Sequence, residues 1–120
     1  MPLGIVTSKP GLIKATVAKK LGPLIQKSMV ETLDCADEGG HLTLNDVEVR
    51  FQEVGPLDIN SMPFSLEIFA NDFPSRRVNL QKRTEALATL LRTAGILPKE
   101  VFKTHSFVWI LLAPAGFQTI

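Results

Sequence analysis

The chain has 120 residues, 45% of them hydrophobic, and a formal net charge of +1 at neutral pH. That length fits one domain with a small core, and so even a charge balance argues against a nucleic-acid-binding surface or a polybasic membrane anchor, both of which need clustered positive charge. No apolar run approaches the roughly 20 residues that span a bilayer, and the N-terminus lacks the basic region and cleavage site of a signal peptide, so a cytoplasmic protein with no nucleic-acid or membrane partner is expected.

Met1-Pro2 opens the chain. Removal of the initiator Met ahead of a small second residue would leave proline at the terminus, a secondary amine able to take a proton or attack a carbonyl. An α-amino group titrates nearer neutrality than lysine, and partial burial beside a cation lowers its pKa further, into the range of a general base. Pro2 is therefore the candidate catalytic residue, although many chains begin Met-Pro with no functional consequence.

Pro2 to Thr7 is apolar and β-prone, which suits a strand whose first residue needs no ladder donor. From Pro10, Ile13, Val17, Leu21, Ile25, Met29 and Leu33 recur every four residues among lysines. That is an amphipathic helix with Pro10 in its first turn, and Gly22-Pro23 predicts a kink or a division into two. Asp37 to Gly40 reads as a loop. Val47, Val49 and Phe51 then alternate with Glu48, Arg50 and Gln52, giving a strand with one polar face. After a turn over Gly55 to Ser61, Phe64, Leu66, Ile68 and Ala70 mark a third strand with Glu67 on its opposite face. Asn71 to Ser75 ends it.

Asn79 is the expected N-cap of a second long helix, whose inward stripe is Leu80, Thr84, Leu87, Leu91 and Ala94 before Gly95 stops it. Pro98 to Val101 suits one short helical turn. Ser106 to Ala113 is nearly continuous apolar sequence, the pattern of a strand buried on both faces. Two helices cover only one face of a sheet, so the other needs a different cover, most simply another copy of the chain.

The order is thus β-α-β followed by β-α-β, with Met1-Pro2 opening the first strand and Met62-Pro63 the third. The expected fold class is α+β: one domain over residues 1–120, with halves of about 1–55 and 62–120 related by a pseudo-twofold. They would form a four-stranded sheet with two helices on one face. The ferredoxin-like arrangement of the same string is the competitor.

Few residues suggest other chemistry. Cys35 is the only cysteine, which excludes an internal disulfide, and it reads as a buried or half-buried apolar side chain. His41 and His105 lack partners at ligand spacing, and no glycine-rich phosphate loop, GxSxG or metal-spaced carboxylate pair occurs, so neither metal nor cofactor is expected. Arg76-Arg77, just before the second helix, is the densest positive charge and could hold an anion with help from the helix N-terminus, or simply be solvated. Arg50 shares a strand face with Glu48 and Gln52, as a pocket wall or a sheet rim. His105, Phe107 and Trp109 share a face of the last strand, where aromatics are most often core.

These features resemble the tautomerase superfamily, in the initial Met-Pro and the two β-α-β halves. Leu44 to Val54 looks like the second strand of oxalocrotonate tautomerases, with Glu48 where those enzymes usually carry arginine and Arg50 two residues later on the same face. Phe73 to Leu80 is similar to the turn of carboxymethyl-hydroxymuconate isomerases and acrylate dehalogenases in which an arginine grips the substrate carboxylate. Arg77 is the better match there, with Arg76 one residue away.

The resemblance implies a homotrimer whose sheets line the interior, with Pro2 in a pocket at a subunit boundary. It further implies a cofactor-independent tautomerase in which Pro2 is the general base and Arg77, with Arg76 or Arg50, binds a small unsaturated 2-oxo or 2-hydroxy carboxylic acid. A hydratase or dehalogenase of acrylates would need a water-activating carboxylate, for which Glu48 and Glu67 are candidates. A trimeric binding or signalling protein like migration inhibitory factor, with the pocket unused, is the non-enzymatic alternative.

Overall fold

Burial alternates strictly along Leu3–Ser8, with every second residue turned into the core, as a strand with one covered face requires. The computed structural model describes residues 2–37, 39–59, 61–103, 105–114 and 120. Met1, and with it the processing expectation, lies outside the described residues, as do Glu38 and Asn60 of the two loops. The elements are β1 (Leu3–Ser8), α1 (Ala15–Leu33), β2 (Glu48–Glu53), β3 (Phe64–Asn71), α2 (Pro74–Val78), α3 (Leu80–Thr93), α4 (Lys99–Phe102) and β4 (Phe107–Ala113). A single 3-10 turn, Leu44–Asp46, leads into β2.

The sheet order is β2-β1-β3-β4. β1 lies parallel to β2 and β3 parallel to β4, while the two central strands β1 and β3 run antiparallel. These are the two expected β-α-β units. The ferredoxin-like alternative fails, because there an intervening strand splits each unit.

One sheet face packs on the helices. Val6, Leu66 and Ile68 from the strands meet Leu21, Ile25, Met29 and Leu33 of α1 and Leu87 of α3, all with 0% exposure. Burying each such side chain favours folding by roughly 1.5–3 kcal/mol. Gly4 permits the close approach of β1 to α1, since a Cβ there would stand 2.9 Å from Met29 Sδ. Gly95, at φ 73°, ends the second long helix as expected.

Several local expectations are corrected. α1 starts at Ala15, so Pro10 sits in the preceding turn and not in the helix. The same helix is not divided at Pro23 but continues as one element of 19 residues. Pro23 is on the solvent side, where water can satisfy the carbonyl four residues back, and the apolar stripe on the other side holds the helix together. Asn71 to Ser75 is not all loop, because Pro74 at the first position starts the short helix α2. Asn79 does not cap α3 through its side chain; its amide oxygen instead accepts from Arg83 Nε at 2.6 Å.

β4 is an edge strand, and its apolar run is not buried on both faces within the chain. Ile110 is buried, whereas Phe107 is 39% and Trp109 55% exposed. Their rings meet edge to face, with centroids 6.4 Å apart.

Candidate functional site

Pro2 is buried directly ahead of β1. Its carbonyl accepts from Glu48 N–H at 3.1 Å, tying the start of the central strand to the start of β2. On the other side Leu3 lies opposite Phe69 of antiparallel β3. The end of β3 and the α2 turn after it therefore stand at the same end of the sheet as Pro2. Arg50 does not: it is level with Ile5, which is roughly 10 Å along the strand at about 3.3 Å per residue.

Each sequence-selected arginine already has a partner. Arg50 Nε donates to Glu48 Oε1 at 2.7 Å on the open sheet face. That hydrogen bond raises the Arg50 pKa. Arg77 forms a two-pronged pair with Asp72, at 3.0 and 3.1 Å, on the surface. The hydrogen bond to Asp72 likewise pushes its pKa up.

Arg76 differs from both. It is 1% exposed, donates from Nε to Leu33 O at 2.8 Å and from Nη1 to Asn71 O at 3.1 Å, and stacks on Phe73 at 5.0 Å. Burial pushes its pKa down, but a guanidinium begins so high that it stays charged. Arg76 thus ties the C-terminus of α1 to the end of β3, where a cation also complements the helix dipole.

Two residues that sequence reasoning missed complete this junction. Arg83 Nη1 donates to Thr32 O at 2.8 Å and Asp34 O at 2.9 Å, and its Nη2 donates to Ser75 O at 3.2 Å. Asp37 accepts from Ser75 N–H at 3.0 Å and Ser75 Oγ–H at 2.8 Å. These bonds, the backbone one first, hold the Asp37 carboxyl below the usual carboxylate range. The available signal was an acid and several donors flanking two helix ends, but the arginines' partners are backbone carbonyls and the acid's is a serine 38 positions away, which no spacing rule identifies.

The face of the sheet away from the helices carries Leu3, Ile5 and Thr7 in register with Glu48, Arg50 and Gln52 on one side. On the other side it carries Ser65, Glu67 and Phe69, followed by Phe107, Trp109 and Leu111. Glu67 is half-buried between Ile5 and Trp109. Gln52 Nε2 donates to Thr7 Oγ1 at 2.9 Å. Cys35 is half-buried, as expected. Among the described residues, no group of three or more His, Cys, Asp or Glu side chains is placed to hold a metal, and no helix is long and apolar enough to cross a membrane.

No protein-family model matches the sequence, and no curated protein matches it. Solved structures do. Malonate semialdehyde decarboxylase superposes with a TM-score of 0.61 at 15% identity, over 98% of this chain and 91% of that one. A fused 4-OT described as a symmetric trimer gives 0.59 at 15% identity, over 93% and 85%. A macrophage migration inhibitory factor-like protein from Entamoeba histolytica gives 0.56 at 13% identity, over 98% and 95%. The fold is that of the tautomerase superfamily. In this example of the tautomerase fold, Pro2 heads a central strand, Arg77 and Arg50 hold exposed ion pairs, and Arg76 is enclosed.

Proposed function

We propose that the protein is a cofactor-independent tautomerase in which the amine of Pro2, freed by removal of Met1, is the general base. The observation that carries this reading is a buried proline at the start of a central strand in a tautomerase-superfamily fold. The substrate would be a small unsaturated 2-oxo or 2-hydroxy carboxylic acid. Neutral Pro2 takes the enol proton, or one from carbon beside the carbonyl, and returns it elsewhere on the same molecule. Burial helps by keeping the amine poorly hydrated and so less readily charged.

The carboxylate needs a cation that can exchange partners. Arg77 and Arg50 are exposed and pair with single carboxylates, and surface pairs of this kind are worth only about 0–1 kcal/mol. A substrate carboxylate can displace Asp72 from Arg77 at little cost. Arg76 is the weaker candidate, since its donors hold backbone carbonyls. A homotrimer would cover Phe69, Phe107 and Trp109 and could bring Arg50 of a neighbouring copy towards Pro2.

The occupied state of all three arginines favours one second reading, a trimeric binding or signalling protein with an unused pocket. Turnover of phenylenolpyruvate by the native protein and by Pro2→Ala separates the two. A loss of at least about 100-fold in kcat/KM is expected, as for removal of a general base; equal turnover removes Pro2 from the mechanism. Intact mass showing Met1 retained would block the amine and favour the binding reading.

A further inference from the structure

At the end of the sheet away from Pro2, α3, α4 and the first residues of β3 and β4 line a cavity of ≈ 220 Å³ that is open to solvent on one side. Phe64, one of its lining residues, lies opposite Ser8 in the β1–β3 ladder, roughly 20 Å along the strand from Pro2 at about 3.3 Å per residue. The cavity is therefore separate from the proposed proline site.

Its walls are apolar. Phe64, Leu91, Leu97 and Val101 line it, with Ser106 and Arg92 as its polar members and no acidic side chain among the lining residues. Ser106 Oγ is shielded from solvent and has no hydrogen-bond partner, the one such side-chain atom among the described residues. A buried hydroxyl left unsatisfied is costly, about 1–3 kcal/mol, so a ligand oxygen at this position is favoured. Arg92 is exposed, and no hydrogen bond or ion pair occupies its guanidinium among the described residues. A permanent cation and an unpaired hydroxyl donor in the lining of one pocket match a carboxylate, and charge-assisted bonds to both are the stronger kind.

We propose that this cavity binds a small monocarboxylic acid with an aromatic or branched apolar body. The ring packs among Phe64, Leu91, Leu97 and Val101, while the carboxylate accepts from Ser106 Oγ–H and Arg92. Size agrees, since an apolar cavity of about 150 Å³ already holds benzene. A benzoate-sized acid, with a ring and one carboxyl group, uses the remaining volume.

The test is a titration of the isotopically labelled full-length protein with benzoate, using benzamide as the neutral counterpart and amide resonances as the readout. Benzoate is expected to shift Leu91, Leu97, Val101 and Ser106, and Ser106→Ala and Arg92→Gln should each weaken it about tenfold, as for loss of a charged hydrogen bond. Benzamide should bind more weakly by a similar factor, about tenfold. Pro2→Ala should leave all of this unchanged, so failure here and failure of the proline mechanism are distinguishable. Absence of shifts at the cavity, equal binding of benzamide, or unchanged benzoate affinity in both variants would each overturn the proposal.

Discussion

The two β-α-β halves share a topology but finish their long helices differently. At the C-terminus of α1, the carbonyls of Thr32, Leu33 and Asp34 accept from Arg83 and Arg76, and Asp37 secures the next helix through Ser75. Near the C-terminus of α3 there is no comparable closure among the described residues: Arg92 is exposed, Ser106 Oγ is unpaired, and a cavity remains. A pseudo-symmetric fold can thus be tightened in one half by cations borrowed from the other, while the second half retains space. The difference lies in side chains, with the backbone plan left alone.

Breaking the tight junction should have the largest effect. Arg76→Ala leaves two acceptors without their donor and empties a buried volume, so a loss of about 3 kcal/mol in urea unfolding is expected; a near-zero change would mean that the arginine lock is dispensable. Filling the loose end should act in the opposite direction. Ala88→Leu, on the cavity wall, is expected to add about 1 kcal/mol by occupying empty space on a helix that favours leucine, read as a raised thermal midpoint and a weakened benzoate response. Ser106→Ala should stabilise the free protein by about 1 kcal/mol, because an unsatisfied hydroxyl is removed. A loss of more than about 1 kcal/mol would show that the hydroxyl has a partner.

The smallest effect concerns pH. Hydrogen bonds from Ser75 depress the folded-state pKa of Asp37 below its unfolded value. The carboxylate's contribution is therefore complete above the unfolded value, roughly 4, and is lost as pH falls through the folded value. Native protein and Asp37→Asn should differ in stability at neutral pH and converge in acid. A constant difference down to pH of about 2 would assign the effect to packing instead.

Much of the fold was legible in the sequence because repeating patterns encode it. The four-residue recurrence from Val17 to Leu33 and the alternation around Leu66 each report one buried face, whereas the alternation around Val49 marks a strand that the chain leaves mostly exposed. Of the two outcomes expected at Pro23, the division into two helices does not occur, because tertiary packing holds the helix together where local chemistry signals a break. Asn79 misled, since its oxygen had a better-placed donor in Arg83. The arginine pair showed the limit for the candidate site: Arg76 and Arg77 are neighbours of identical chemistry, yet one is enclosed and the other exposed, because the short helix α2 turns successive side chains by about 100°. Sequence adjacency contains no record of that rotation.

The Arg76 to Leu33 bond joins residues 43 positions apart, and Arg83 reaches 51 positions back to Thr32. Contacts of such long sequence separation are expected to close after both halves have formed and docked, and so to act mainly on the escape rate from the native state and little on the rate of reaching it. The junction is then a latch on the protein's lifetime: Arg76→Ala should refold at nearly the native speed and come apart much sooner.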